Sequence, residues 1–307
     1  MAPERNKTVI VLVGPTAVGK TAVAIALAKH FKTEIISADS RQCFKELNIG
    51  VARPTEEELR EVTHYFIASH SIHEEVTAAV FEQYALQKTT ELFTKHDQVI
   101  LAGGTGLYVK AFCEGLDEIP AVQEDIRKSI VAKYEEAGMP WLQKEIEQRD
   151  PAFYKTGEIQ NPQRMMRALE VLLSTGHSIL SFRKGVKATR AFRIIKIGLE
   201  ISKEELRGHI NTRVDNMIAA GLANEVKSLL PDKNLNALQT VGYAELFEFE
   251  DGKTRFEKAV EKIKTNTRQY AKRQMTWFKK DKEITWFNPA STEQIIRFLE
   301  LDNGLAG

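Results

Sequence analysis

The chain has 307 residues, 43% of them hydrophobic and 28% charged, enough for roughly two domains and a large core without disulfide or metal staples. Lys and Arg number 43 against 42 Asp and Glu; the net charge of +1 excludes a globally basic nucleic-acid binder but leaves room for a local basic patch. The two cysteines, Cys43 and Cys113, lie outside any CxxC, which excludes a zinc ribbon or a disulfide scaffold. No apolar run reaches the ~18 to 20 residues that span a bilayer, and the opening MAPERNKTV lacks the apolar centre of a signal peptide. These features together predict a cytoplasmic protein with no membrane segment.

In chain order, Thr8–Val13 is the first apolar run that predicts a strand, and Ala22–Phe31 follows it with apolar residues at helical spacing. Glu34–Ser37 predicts a second strand, His64–Ala68 a weaker one, Thr77–Lys95 a helix and Gln98–Ala102 another strand. From about Gly115 to Arg190 strand-like runs give way to helical stretches at Gln123–Gly138, Met139–Gln148 and Pro162–Thr175, punctuated by prolines. Arg193–Leu199 returns to strand pattern. Helices are expected over Lys203–Leu230, Val241–Glu250 and Thr254–Lys280, and a last strand over Glu283–Phe287. Apolar strands alternating with helices read as an α/β fold, a parallel sheet of P-loop NTPase type with flanking helices and a helical insertion domain. The expected divisions are residues 1–114, the first part of the sheet domain; 115–190, the insertion; and 191–307, the second part with a basic C-terminal helix.

The strongest motif is Gly14-Pro15-Thr16-Ala17-Val18-Gly19-Lys20-Thr21, which fits G-x-x-x-x-G-K-[ST] between a strand and a helix. Its glycines let the backbone curl and aim N–H groups inward, and the helix that follows adds the positive end of its dipole. Lys20 would hold terminal phosphate oxygens and the Thr21 hydroxyl Mg²⁺. A nucleotide hydrolase of this class would place an Asp at the end of a later apolar strand. Here Gln98–Ala102 runs into Gly103-Gly104-Thr105, which argues against an ATPase motor or a GTPase.

Asp39 ends the second strand, where the ligand crevice of a parallel sheet lies. The residues alone leave it open whether that carboxylate is a general base or a loop acid that caps a turn. Thr105, after two glycines, reads equally as a substrate contact or a helix cap. Between Lys262 and Lys282 stand eight basic residues, Lys262, Lys264, Arg268, Lys272, Arg273, Lys279, Lys280 and Lys282, interleaved with Tyr270, Trp277 and Phe278. A cationic helix face with stacking rings suits RNA. Arg164 and Arg167 form a second basic pair on a helix that Pro162 starts. His64, His70 and His73, beside Glu74 and Glu75, fit no metal-site spacing.

The ordered set of motifs resembles the bacterial tRNA dimethylallyltransferases (tRNA isopentenyltransferases). The resemblance rests on Gly14–Thr21, Ile36-Ser37-Ala38-Asp39-Ser40, Asn48-Ile49-Gly50-Val51-Ala52-Arg53-Pro54, Gly103–Tyr108, Pro162-Gln163-Arg164, Arg167–Glu170 and Val241-Gly242-Tyr243. The closing run Arg268-Gln269-Tyr270-Ala271-Lys272-Arg273-Gln274-Met275-Thr276-Trp277-Phe278 is the most specific. It implies Mg²⁺-dependent transfer of a dimethylallyl group from dimethylallyl diphosphate to N6 of adenosine 37 in tRNAs reading codons that begin with U. The phosphate loop would then cradle a leaving group, with ATP in the loop left open.

The resemblance also implies the roles. Asp39, Thr105 and Arg213 are catalytic, and Gly14, Pro15, Thr16, Ala17, Val18, Gly19, Lys20 and Thr21 hold the diphosphate, with Thr21 on the metal. The anticodon stem-loop would be met by Asp39, Ser40, Arg41, Gln42 and Thr105, and by Arg127, Gln163, Arg164, Met165, Met166 and Arg167 of the insertion. Lys272, Arg273, Gln274, Met275, Thr276, Trp277, Phe278 and Lys279 would meet it from the basic helix. The acting species is expected to be a monomer. Two positions depart from the family: Ala244-Glu245 where many relatives carry Arg-Gln, which removes one basic contact to RNA, and Val80 where an Asp is common. The competing readings are a small-molecule or nucleoside kinase, a prenyltransferase of free adenine nucleotides, and an RNA-binding protein with a vestigial loop.

Overall fold

A computed structural model describes residues 7–183 and 185–302. Residues 1–6, most of the opening MAPERNKTV, and 303–307 at the end of the expected third division lie outside the described residues. The elements follow in the order β1 (Thr8–Val13), α1 (Lys20–His30), β2 (Ile35–Ser37), α2 (Glu56–Glu61), β3 (His64–Tyr65), α3 (Ala78–Leu92), β4 (Gln98–Gly103) and α4 (Gly106–Glu114). Then come α5 (Glu124–Arg149), α6 (Pro151–Thr156), α7 (Pro162–Thr175), β5 (Arg193–Leu199), α8 (Lys203–Ala219), α9 (Leu222–Ser228), α10 (Tyr243–Glu250), α11 (Phe256–Phe278), β6 (Thr285–Phe287) and α12 (Thr292–Asp302).

The chain divides into two compact units, one made of residues 1–114 and 189–307 and the other of residues 115–188. The first is built on a six-stranded sheet in the order β3-β2-β4-β1-β5-β6, parallel at every pairing. All six residues of β1 are buried, as a central parallel strand covered on both faces requires. Alternate residues serve opposite layers. Val9, Val11 and Val13 join a core with residues of α3, α4, α10 and α11, whereas Ile10 and Leu12 pack with residues of α1 and α12. No helix among the described residues is long and apolar enough to cross a membrane.

In the second unit, Asn161 caps α7 by accepting from the Arg164 N–H, Pro162 opens the helix and Gly176 closes it at φ 75°. The expected pair of helices 123–138 and 139–148 is present: α5 is two helices separated at Gly138 (φ 67°, ψ −162°), just before Pro140. Arg190, read above as the end of the insertion, anchors in the sheet unit. Its guanidinium donates to the carbonyls of Phe112 and Ala111, each at 2.8 Å, and to Glu82 at 2.7 Å.

Two expectations need correction. The helix expected over Lys203–Leu230 breaks at Gly221, whose φ of 98° ends α8 and starts α9. Helices α2, α6 and α12 are not expected from the sequence pattern, although Thr55 and Glu58 form a capping box that marks the start of α2.

One close approach sets the geometry at the strand ends. A Cβ on Gly103 would lie 2.2 Å from the Ala38 carbonyl oxygen and 2.4 Å from its carbon. The two backbones touch because position 103 has no side chain. Gly103→Ala must force them apart, and its expected cost is about 1–3 kcal/mol, read as a lower urea midpoint at unchanged m-value. An unchanged midpoint would mean the contact carries no packing constraint.

Candidate functional site

The phosphate loop leaves β1 at Gly14, whose φ is 155° and whose missing Cβ would fall 2.8 Å from the Leu199 carbonyl oxygen. Ala17 (φ 64°) and Gly19 (φ 100°) complete the curl, and Gly19 leads directly into α1. Lys20 folds over the loop, its ammonium donating to the carbonyls of Gly14 at 3.0 Å and Pro15 at 2.8 Å. Burial pushes its pKa down to about 7, the positive charge of Arg213 lowers it further, and Asp39 works in the opposite direction. The Thr21 hydroxyl lines the same cavity and has no hydrogen-bond partner among the described residues.

Asp39 follows β2. Its Oδ1 accepts the main-chain N–H of Arg41 at 2.9 Å and of Gln42 at 3.2 Å, which locks the turn, and Oδ2 makes no hydrogen bond among the described residues. Asp39 is thus both a turn acid and a carboxylate that faces the cavity. Thr105 is tied to the same turn. Its main-chain N–H donates to the Ala38 carbonyl at 3.2 Å, and its Oγ1 accepts from the Ser40 N–H at 3.0 Å. Tyr270 of α11 brings its phenol to Thr105; burial, and then the charge of Asp39, raise that phenol to about 12, so it stays protonated at neutral pH.

Arg213 enters from α8. Burial holds its guanidinium below the usual range, Asp39 partly offsets this, and it has no hydrogen bond or ion pair among the described residues. A cavity of about 360 Å³ gathers Lys20, Thr21, Asp39, Arg213 and Tyr270, walled by residues 50–52 and 240–242. The cavity is therefore lined by the basic residues Lys20, Arg41 and Arg213, the acids Asp39 and Glu58, an unengaged Thr21 hydroxyl and the apolar residues Val214, Met217, Val241 and Ile263. It suits an anionic group joined to a small apolar one.

Gln274 holds this arrangement together. It is 6% exposed. Its Oε1 accepts the Thr16 N–H at 2.8 Å and its Nε2 donates to the Gly104 carbonyl at 2.9 Å. Sequence reasoning put Gln274 at an RNA surface; its amide is instead spent inside. Phe278 also turns inward at 2% exposure, its ring in the core. Of the eight basic residues near α11, four are engaged within the unit. Lys262 pairs with Glu248, Lys264 with Asp215 and Glu261, Lys279 with Glu200, and Arg268 donates to Asn211. Lys272, Arg273, Lys280 and Lys282 have no ion pair among the described residues. Lys272, Arg273, Thr276 and Lys280 line an open groove with Trp277.

In the helical unit Met165 and Met166, expected at an RNA surface, are buried in the core, because their positions on α7 face α5. Gln163 and Arg164 are exposed, with Arg164 paired to Glu158. Glu170, almost fully buried, lies 3.3 Å from the Arg167 guanidinium and 3.9 Å from that of Arg127. The three histidines go separate ways: His64 lines the cavity, His70 bonds Ser69, and His73 approaches Asp232. Among the described residues no group of three or more His, Cys, Asp or Glu could hold a metal ion.

Of the departures, Glu245 is a structural residue. It accepts the Gly242 N–H at 2.7 Å and the Asn266 amide at 2.6 Å. The roles of Gln274 and Tyr270 were missed, although both stand in the closing motif; their spacing places them on α11, and nothing in it says which side turns inward.

The IPP transferase family model matches residues 42–281. The chain is 46% identical to tRNA dimethylallyltransferase 1 of Bacteroides thetaiotaomicron over 296 residues, covering 96% of each. It is 49% identical to the tRNA dimethylallyltransferase of Christiangramia forsetii over 290 residues, 94% of this chain and 96% of that one. Among solved structures, the full-length tRNA isopentenylpyrophosphate transferase from Bacillus halodurans is similar at a TM-score of 0.71 and 33% identity over 97% of both chains. A eukaryotic dimethylallyltransferase acting on tRNA has the same fold, at a TM-score of 0.75 and 24% identity over 94% of this chain and 75% of that one. With the phosphate loop, the acid after β2 and the closing motif gathered at one cavity, these similarities make the chain a member of the IPP transferase family.

Proposed function

We propose that the chain transfers a dimethylallyl group from dimethylallyl diphosphate to N6 of adenosine 37 of tRNA, releasing diphosphate. The carrying observation is the cavity itself, where the phosphate loop meets Arg213 and an Asp39 with one oxygen unengaged, and no acid follows β4.

The adenine N6 lone pair is delocalised into the ring, so the amine is a weak nucleophile. Asp39 Oδ2 accepts its proton as the new C–N bond forms. The allylic C–O bond breaks with its electron pair going to the diphosphate, and the allylic carbon carries positive charge on the way. Lys20 and Arg213 stabilise the departing anion, in a cavity where low dielectric strengthens both contacts. Thr105 and Tyr270 hold the amine against Asp39. Thr21 fits a role as protein ligand for Mg²⁺, a cation that takes few protein ligands and completes its shell with phosphate oxygens and water. Bound there, the metal would neutralise part of the diphosphate charge. The apolar side of the cavity takes the dimethylallyl carbons.

The exposed Lys272, Arg273, Lys280 and Trp277 face of α11 and, in the helical unit, Arg127, Gln163, Arg164 and Arg167 would meet the anticodon stem-loop. Taking adenosine 37 out of its stack costs a few kcal/mol, which such contacts offset. The buried free thiols of Cys43 and Cys113 are consistent with work in the cytoplasm.

The deciding assay mixes the protein, Mg²⁺, labelled dimethylallyl diphosphate and an unmodified anticodon stem-loop. Label should appear on the RNA and vanish when adenosine 37 becomes guanosine; label on free AMP at the same rate would favour a nucleotide prenyltransferase. Asp39→Ala should abolish transfer while RNA affinity stays within a few fold, and wild-type turnover in that variant would remove Asp39 as the base.

Replacing Lys272 and Arg273 together by Ala should weaken RNA binding and flatten its log–log salt slope by about 0.7–0.9 per charge removed. An unchanged slope would make that face a solvated helix surface.

Lys20 makes donor binding proton-linked. The free lysine, pushed down to about 7, is largely neutral at pH 8. Pairing with diphosphate raises its pKa, so the favourable contribution is complete below pH 7 and is lost as pH rises through the bound-state value. Calorimetry at pH 8 in buffers of different ionisation enthalpy should show uptake of about one proton per donor bound. Lys20→Met should show none; equal uptake in both would overturn the assignment.

A further inference from the structure

Two motifs, Asn48–Pro54 and Val241–Tyr243, contribute wall residues to the cavity, and they meet at one carboxylate. Glu225 of α9 accepts the main-chain N–H of Ile49 at 2.8 Å through Oε2. Through Oε1 it accepts the Gly50 N–H at 3.0 Å and the Tyr243 hydroxyl at 2.5 Å. Both of its oxygens are therefore engaged. Gly50 is pressed against the fully buried Tyr243 ring, where a Cβ would lie 2.5 Å from the nearest ring carbon. Arg53 closes the other end of this loop by donating to the carbonyls of Phe44, Lys45 and Leu47.

The loop in turn grips Gln42. The Gln42 side-chain Nε2 donates to the carbonyls of Val51 at 3.3 Å and Ala52 at 2.9 Å, and its Oε1 accepts from Ser37 Oγ at 3.3 Å. The main-chain N–H of the same Gln42 is one of the two donors on Asp39 Oδ1. A continuous hydrogen-bonded path thus runs from Glu225, through residues 49–52 and Gln42, to the carboxylate that faces the cavity.

We infer that Glu225 is a positioning residue for the transfer step: it fixes the 49–52 loop, the loop fixes Gln42, and Gln42 with Arg41 holds Asp39 so that Oδ2 meets the reacting amine. This rests on the proposed role of Asp39. The chemistry of the anchor suits the task. Hydrogen bonds from main-chain N–H groups to an ionised carboxylate are shorter and stronger than neutral ones, and the segment they hold includes a glycine that would otherwise sample many conformations. A base displaced by even about 1 Å loses roughly a hundredfold in rate, because transfer needs near-attack geometry. Gln42, expected from the sequence at the RNA surface, has its side-chain amide engaged at both ends by this path.

The test compares wild type, Glu225→Gln, Gln42→Ala and the double variant in single-turnover transfer to the anticodon stem-loop at saturating donor. Each single variant should lose about tenfold or more in rate, with RNA Kd and donor Kd within about twofold of wild type. The double variant should fall little further than the slower single one, since both cut one path. Unchanged donor binding also reports that the phosphate loop is folded. Should Glu225→Gln fail to fold, Gln42→Ala alone decides. Wild-type rates in the variants, fully multiplicative losses, or weakened RNA binding at an unchanged transfer rate would each overturn the inference while leaving the proposed function standing. A wild-type chain that transfers no label overturns both.

Discussion

A single buried amide, Gln274, joins the three parts on which the site depends. Its oxygen holds the Thr16 N–H in the phosphate loop, its nitrogen holds the Gly104 carbonyl after β4, and its backbone belongs to α11. Buried groups of this kind give only about 1 kcal/mol net for each bond made, but leaving one unpaired costs about 1–3 kcal/mol. The asymmetry explains why an amide, with one donor end and one acceptor end, suits the position. It also couples two surfaces of one helix. The same turns of α11 that clamp the phosphate loop present Lys272, Arg273 and Trp277 outward.

The second constraint is the absence of side chains where backbones converge. Gly103 lets the turn after β2 touch the end of β4, and the hydrogen bonds between Ala38, Ser40 and Thr105 follow from that contact. In a parallel sheet all strands end on one side, so β1, β2 and β4 deliver the phosphate loop, Asp39 and Thr105 to one crevice. Lys20, Arg213 and Asp39 then share a cavity whose low dielectric penalises charge. Lys20 responds with a lowered pKa, and Arg213 is left without a partner of its own. An anion entering this cavity relieves both costs.

Much of this was legible beforehand. The continuous apolar run of β1 and its successor loop needed only local rules, since strand burial on both faces and the G-x-x-x-x-G-K-T spacing are properties of adjacent residues. Helix α7 was readable to its ends from Asn161, Pro162 and Gly176. The split between α8 and α9 was not, because Gly221 is tolerated inside a helical pattern and only the chain's path gave it a left-handed turn. Nor was the inward direction of Gln274, Phe278, Met165 and Met166, since periodicity marks which residues share a face but not which face a neighbour covers.

By itself, then, the amino-acid sequence determined the chemistry on offer: a phosphate-cradling loop, an acid after the second strand, a basic aromatic-rich helix, and the family to which their order belongs. The tertiary structure alone decided how those groups are used. It brought Arg213 from α8 and Tyr270 from α11 to Asp39, spent four of the eight basic residues near α11 inside the unit, and tied the 49–52 loop to Glu225. The reason is that hydrogen bonds and charge interactions between residues far apart in the chain are set by the close packing of the sheet and its helices, and no local pattern encodes such distances.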